Sequence, residues 1–67
     1  MSSYRVCLVG QHQPLDIDLP YADLDDLIGE AARAKFLAGH MSEPDEDGVC
    51  RRVMIATCRI QCVIETS

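Results

Sequence analysis

Two segments near the beginning of the chain have the alternating side-chain pattern of β-strands. In residues 4–9 both faces are largely apolar, so we expect this strand to be central in the sheet or to pack on both sides. In residues 15–19 the alternation is complete, with two aspartates, Asp16 and Asp18, facing solvent. In the first segment Tyr4, Val6 and Leu8 point to one face and the residues between them to the other, whereas in the second Leu15, Ile17 and Leu19 are expected to face the core. A turn rich in Gly, His and Pro separates the two segments, which predicts a hairpin.

A helix is predicted after Pro20, which ends the second strand. Asp23 suits the N-cap, and the negative charges of Asp25 and Asp26 suit the first turn of a helix. Apolar residues then recur at helical spacing, which predicts one buried stripe. Gly39 suits the C-terminal end of the helix. The residues of the stripe are Leu24, Leu27, Ala31, Ala34, Ala38 and Met41.

A second apolar stripe is predicted on the same helix. At 100° per residue, Ile28, Ala32 and Phe36 lie away from the first stripe, with Phe36 roughly opposite its middle. The rest of a monomer of this size can bury one face of its only helix, but hardly two. We therefore interpret Ile28, Ala32 and Phe36 as an interaction surface; the alternative is a helix that tilts or frays before Phe36.

The C-terminal third begins with an acidic loop at residues 42–48 and continues with an apolar, β-branched segment at residues 49–65. The alternation in this segment changes phase, from odd-numbered to even-numbered apolar positions. A bulge, kink or turn at residues 56–58 would place both sets on one face. The residues expected on that face are Val53, Ile55, Ile60, Cys62 and Ile64.

These elements predict an α+β fold, with one helix packed on a small, mainly antiparallel sheet. The predicted order is β-β-α-β-β, and the last two strands are alternatively one bent strand. With 67 residues the chain is a single small domain, residues 1–67. A chain of this length buries only about 60% of its unfolded surface, so such domains commonly depend on disulfides, a metal or another subunit.

The charge balance disfavours several kinds of partner. Six basic against eleven acidic residues give a net charge of −5. Direct binding to nucleic acid or to anionic membranes is therefore not expected, since both need cationic contacts. No apolar run approaches the ~20 residues of a spanning helix, and the N-terminus lacks the pattern of a signal peptide. We expect a cytoplasmic protein.

The four cysteines have spacings unlike those of metal sites. None forms a Cys-x-x-Cys pair, and on a regular strand Cys58 and Cys62 would lie roughly 13 Å apart, too far to share one tetrahedral ion. His12 and His40 lie in predicted loops, with no partner at ligand spacing. We expect no metal, no cofactor and no native disulfide, with the cysteines acting as small core or sheet residues.

Catalytic motifs are also not found in the sequence. No serine has the context of a nucleophile elbow, no thiol is marked as activated, and Gly10 is not followed by the residues of a phosphate loop. The acidic loop lacks the ligand order of a calcium-binding EF-hand. Three arginines in the C-terminal segment, Arg51, Arg52 and Arg59, are expected to offset Asp16, Asp18 and the acids of the helix rather than to form a small anion or nucleic-acid patch. We expect no catalytic residue and no enzyme.

The C-terminal residues resemble one known family in part. Residues 52–65, Arg-Val-Met-Ile-Ala-Thr-Cys-Arg-Ile-Gln-Cys-Val-Ile-Glu, look like the closing strands of Sm-like small barrels. The resemblance covers about a fifth of the chain and contains no diagnostic residues. The predicted helix in the middle of the chain departs from that family, whose helix is N-terminal. No site residue follows from the resemblance.

The predicted function is that of a small non-catalytic protein-binding module: a regulator, an adaptor or an accessory subunit. Its partner is another protein, and self-association through the helix predicts a homo-oligomer, most simply a dimer. One alternative is an acidic decoy that imitates nucleic acid; clustering of its carboxylates on one face would favour this. The other is a thiol-based redox or metal protein. The acids that motivate the decoy are Asp16, Asp18, Asp23, Asp25, Asp26 and Glu30.

Overall fold

The computed structural model describes residues 2–66 and contains five strands and one α-helix. This confirms the predicted α+β class, with one helix on a small antiparallel sheet. The two predicted N-terminal strands, the helix and the C-terminal strands follow one another along the chain as expected. The elements are β1 (Ser2–Leu8), β2 (Leu15–Leu19), α1 (Leu24–Ala31), β3 (Phe36–Met41), β4 (Arg52–Ala56), a short 3₁₀ helix η1 (Thr57–Arg59) and β5 (Ile60–Glu65).

The strands form one antiparallel sheet in the order β4-β3-β2-β1-β5. In a flat sheet the two outer strands would lie about 19 Å apart. Here β4 and β5 are the outer strands, yet Ala56 and Ile60 are joined by η1 alone. Four residue steps span at most about 14 Å. The sheet must therefore curl part of the way towards a barrel, with a concave inner face and a convex outer face.

The core fills the inner face of this curled sheet. The alternation predicted for β1 and β2 is confirmed, because the residues of one face are buried or packed against the core while Arg5 is exposed and Asp16 and Asp18 stay partly exposed. The hydroxyl of Tyr4 donates to the carbonyl oxygen of Tyr21 at 3.0 Å, and burial raises the pKa of this hydroxyl. The buried core residues are Tyr4, Val6, Ile17, Leu19, Leu27, Leu37 and Ile55.

Helix α1 begins as the sequence predicts. Asp23 is the N-cap, and its carboxylate accepts a hydrogen bond of 2.9 Å from the backbone amide of Asp26. The amide of Leu24 donates to the carboxylate of Glu65 at 2.8 Å, which ties the first turn to the end of β5. Leu27 faces the core. No helix among residues 2–66 is long and apolar enough to cross a membrane.

The predicted length of the helix is wrong. It ends at Ala31, and the segment Phe36–Met41, which contained the last part of the predicted stripe, is the strand β3. Within β3 the side of Leu37 and Gly39 is buried and the side of Phe36 and Ala38 is exposed, a period of two rather than 3.6. The physical reason is pairing: β3 hydrogen-bonds to β2 on one side and to β4 on the other.

The predicted break near Thr57 is confirmed, because η1 separates β4 from β5. Ile55 is buried, and Val53 and Ile60 pack against the core, as expected. The inward orientation predicted for Cys62 and Ile64 is wrong, since both are exposed.

A second phase change explains the orientation of Cys62 and Ile64. Cys7 pairs with Cys62 but Leu8 pairs with Ile60, so Gln61 is an extra residue in β5. A bulge of this kind reverses the side on which the following residues lie. Val63 consequently packs against the core in place of its neighbours.

Candidate functional site

The three residues predicted as an interaction surface are all exposed, but they do not share one helical face. Ile28 lies on α1 and Ala32 is its C-cap, whereas Phe36 is the first residue of β3. Ile28 and Phe36 are 57% and 54% exposed. The predicted surface is therefore divided between two places, an apolar groove beside α1 and a strip on the outer face of the sheet.

The groove lies between α1 and the inner face of the sheet and has a volume of about 330 Å³. The residues that line it are Leu24, Leu27, Ile28, Ala31, Leu37, Thr57, Ile60 and Val63. Its single polar side chain, Thr57, is already engaged, because its hydroxyl lies 2.8 Å from the carbonyl oxygen of Ala34 and 3.0 Å from that of Lys35. None of the lining side chains titrates, so the groove offers apolar contact and no group for proton transfer.

The second place, which we name the outer strip, consists of Phe36 and Ala38 of β3 with Met54 and Ala56 of β4. In the register of the two strands Phe36 lies opposite Ala56, and Ala38 lies opposite Met54. Phe36 and Met54 are thus diagonal neighbours, close enough for long side chains to touch. Met54 is 66% exposed, the largest exposed fraction among the large apolar side chains described.

The outer strip borders the free edge of β4. The amide of Met41 donates to the carbonyl of Arg51, and the amide of Thr57 donates to that of Lys35. Hydrogen-bonded pairs alternate along an antiparallel ladder, so the odd-numbered residues of β4 turn their backbone polar groups towards β3. The even-numbered residues turn their amides and carbonyls outwards. These residues are Arg52, Met54 and Ala56.

The acidic residues divide between the two sides of the sheet. Asp16 and Asp18 lie on the outer face of β2, where Asp16 forms an ion pair of 2.9 Å with Arg5. The hydroxyls of Ser3 and Ser42 donate to Asp18 at 2.7 and 2.9 Å, and these two hydrogen bonds lower the pKa of its carboxyl. The other acids that motivate the decoy lie on or beside α1, which packs against the inner face. They are Asp23, Asp25, Asp26 and Glu30.

The acidic loop is held by hydrogen bonds among its own residues and Arg51. Residues 43–49 are exposed, as expected for a solvated connection. The carboxylate of Asp45 accepts hydrogen bonds from the amides of Asp47 and Val49 and from the guanidinium of Arg51. These contacts, led by the one from Arg51, lower the pKa of Asp45. Arg51 also lies 3.4 Å from Asp47. Arg51 therefore offsets the acids of its own loop, and the predicted pairing with Asp16, Asp18 or the helix acids is wrong for this arginine.

The cysteines lie at the surface rather than in the core. Cys50, Cys58 and Cys62 are exposed and Cys7 is half-buried; all four are free thiols in the structure. The expectation that the cysteines are core or sheet residues is confirmed for Cys7 and Cys62, which are strand residues, and is wrong for Cys50 and Cys58, which are exposed and lie outside the strands. Among residues 2–66, no three His, Cys, Asp or Glu side chains come close enough to hold a metal ion.

Sequence reasoning missed one arrangement of the thiols. Cys7 and Cys62 lie directly opposite each other in β1 and β5. Their separation of 55 positions gives no sign of this contact. It depends on which strands pair and on the bulge at Gln61, and neither follows from local patterning.

Comparisons with models of protein families, with curated proteins and with solved structures find no match to this chain. Its function is therefore inferred from the groove, the outer strip and the charges described above.

Proposed function

We propose that this chain is a small non-catalytic protein-binding module that acts by self-association, with the outer strip and the free edge of β4 as its contact surface. This surface replaces the continuous helical face predicted from the sequence. It keeps Phe36 from that prediction and adds Met54. The occupant is a second copy of the same chain.

The observation that carries the proposal is the self-complementary edge of β4. Two copies related by a two-fold axis can align their β4 strands antiparallel with Met54 opposite Met54. Arg52 of each copy then faces Ala56 of the other, so that all three outward-facing residues form hydrogen-bonded pairs. Three such pairs make about six backbone hydrogen bonds and join the two sheets into one. Closed two-fold pairs are the commonest form of oligomer.

The outer strip adds apolar burial to this pairing. Strands joined edge to edge place the outer strips of both copies side by side, because the same face of each sheet carries Phe36 and Met54. Fully burying one such side chain contributes roughly 1.5–3 kcal/mol. An unpaired strand edge beside exposed apolar side chains is otherwise a liability in a soluble domain.

The distribution of charge favours this proposal over the acidic decoy. A decoy needs its carboxylates on one face at phosphate-like spacing. Here Asp16 is neutralised by Arg5 on the outer face, while Asp25 and Asp26 belong to the helix on the other side of the sheet. The outer strip itself carries no acidic side chain. Protein contact is the interaction that these residues support best.

The test is the mass of the protein in solution, measured by sedimentation velocity at tens of micromolar. We expect a dimer for the wild type and a shift to monomer for Met54→Asp and Phe36→Asp. The matched control is Ile28→Asp, which places the same charge on an equally exposed apolar residue of α1 and should leave the dimer intact. Circular dichroism verifies that each variant is folded. A wild-type monomer would end the proposal.

Dissociation by Ile28→Asp, with Met54→Asp still dimeric, would also contradict it, because contact would then run through the helix and its groove.

A further inference from the structure

The two thiols that the fold brings together lie on the outer face of the sheet, at the end opposite the outer strip. On β1, Val6 points into the core, so its neighbour Cys7 points outwards. On β5, Val63 packs against the core, and Cys62 points outwards beside it. Since Cys7 and Cys62 are direct partners in the register, their side chains share one face and one level of the sheet.

The backbone separation at this pair suits a disulfide. The amide of Thr66 donates to the carbonyl of Ser3 at 3.1 Å, so these two residues form a hydrogen-bonded pair. Such pairs recur at every second residue of an antiparallel ladder, and Cys7 and Cys62, four residues further along, are therefore also a hydrogen-bonded pair. The Cα atoms of such a pair lie about 5.5 Å apart, within the range of about 4.4–6.8 Å found across disulfides. The two thiols also form a hydrogen bond with each other. This hydrogen bond, followed by burial, raises the pKa of the Cys7 thiol.

We propose that Cys7 and Cys62 are an oxidisable pair, which hydrogen peroxide converts to a disulfide between β1 and β5. Cys62 is the more exposed of the two and meets the oxidant first. Its thiolate attacks one oxygen of the peroxide, the O–O bond breaks, and a sulfenic acid and hydroxide form; the hydroxide takes up a proton to become water. The sulfur of Cys7 then attacks the sulfenic sulfur, loses its proton and expels a second water.

Overall the two thiols lose two electrons and two protons, and one peroxide is reduced to two waters. A dithiol reductant reverses the step by exchange. The oxidised bond ties the outer strand β5 to β1 across a loop of more than fifty residues. Cross-links over long loops stabilise most by restricting the unfolded chain, so oxidation should raise Tm by about 10 °C or more.

The chain is well suited to a direct test, because trypsin places each cysteine in a different peptide. Cleavage after arginine and lysine puts Cys7 in residues 6–33, Cys50 in 36–51, Cys58 in 53–59 and Cys62 in 60–67. The reduced protein is treated with a few equivalents of hydrogen peroxide, free thiols are blocked by alkylation, and the digest is analysed by mass spectrometry. We expect peptide 6–33 linked to peptide 60–67 as the main product, lost on treatment with dithiothreitol.

Substitutions separate this pair from the other two thiols. On treatment with peroxide, the double variant Cys50→Ser, Cys58→Ser should still lose two hydrogens and show the same increase in Tm as the wild type. The single variants Cys62→Ser and Cys7→Ser should show neither change. In the two single variants serine replaces an exposed residue, Cys62, or a half-buried one, Cys7, and circular dichroism of the reduced proteins verifies folding. Random pairing among all four thiols, or oxidation of Cys62 to sulfinic acid with Cys7 left free, would overturn the proposal. So would a cross-link that forms only between two chains.

Discussion

Gly39 approaches the peptide of Asp18 so closely that a β-carbon on Gly39 would lie 2.3 Å from the carbonyl oxygen of Asp18. The same atom would lie 2.7 Å from the Cδ2 of Leu19, which belongs to the core. Both distances are too short for a β-carbon, so an added side chain would force its neighbours to shift. The contact occurs next to the paired residues Asp18 and His40, where β3 crosses β2 in the curled sheet. Glycine within a strand commonly marks a bend or a close backbone approach of this kind.

Gly39→Ala should therefore destabilise the fold strongly. The added methyl group meets a backbone carbonyl, which cannot move away like the end of a flexible side chain. We expect a loss of about 3 kcal/mol, the upper part of the range for overpacked sites. The measurement is urea unfolding followed by circular dichroism.

The matched control is Gly29→Ala, within α1. A β-carbon there meets no atom within 4 Å, and alanine favours a helix over glycine by about 1 kcal/mol. We expect this variant to be slightly more stable than the wild type. If the two substitutions had equal effects, the close approach of Gly39 would not be a feature of the folded protein.

Gly39 also shows why the sequence predicted the helix too long. A glycine after an apolar helical stripe suits a helix end, and Ala34, Ala38 and Met41 happen to fit helical spacing. The same segment has a period of two, with Leu37, Gly39 and Met41 on one side, but glycine hides the apolar alternation. Short apolar segments fit both periods, and pairing with distant strands decides between them.

The alternation in β1 and β2 was predictable because neither strand contains an extra residue and the two keep one register with each other. In β5 the single extra residue, Gln61, moves Cys62 and Ile64 to the outer face, and nothing in its local sequence marks the bulge. The exposure of Phe36 was predictable because the segment contains more apolar residues than one buried stripe can hold. Its proximity to Met54 was not, because it arises from the register of β3 with β4.

The hydrogen bonds to Asp18 make the stability of the fold depend on pH. Ser3 and Ser42 hold the pKa of its carboxyl below the ordinary value of 3.8 in the folded state. A pKa lowered by folding gives stability that is fully present above the unfolded value. That stability is lost as the pH falls below 3.8 and through the folded-state pKa. We expect Asp18→Asn to be less stable than the wild type at pH 6, with the difference shrinking towards pH 2.5.

The check is a series of urea unfolding curves for both proteins across that pH range. Ser42→Ala removes one of the two donors and should show the same trend with a smaller amplitude. Combining it with Asp18→Asn should give less than the sum of the two effects, since both changes remove one interaction. A difference between wild type and Asp18→Asn that stays constant with pH would contradict the assignment.

Thr57 connects the two parts of the chain that the curled sheet brings together. Its amide donates to the carbonyl of Lys35 at 2.9 Å, and its hydroxyl lies within hydrogen-bond distance of the carbonyls of Ala34 and Lys35. These contacts hold η1 against the segment between α1 and β3, at the point where β4 must turn towards β5.

Thr57→Val keeps the shape of the side chain and the backbone bond while removing the hydroxyl. Leaving the partly buried carbonyl of Ala34 without the hydroxyl should cost about 1 kcal/mol, or about 4–8 °C in Tm. Thermal unfolding measured by circular dichroism tests this, with Thr66→Val, at an exposed position, as the control that should change Tm little. Equal melting temperatures for Thr57→Val and the wild type would mean that the hydroxyl of Thr57 does not stabilise the turn between β4 and β5.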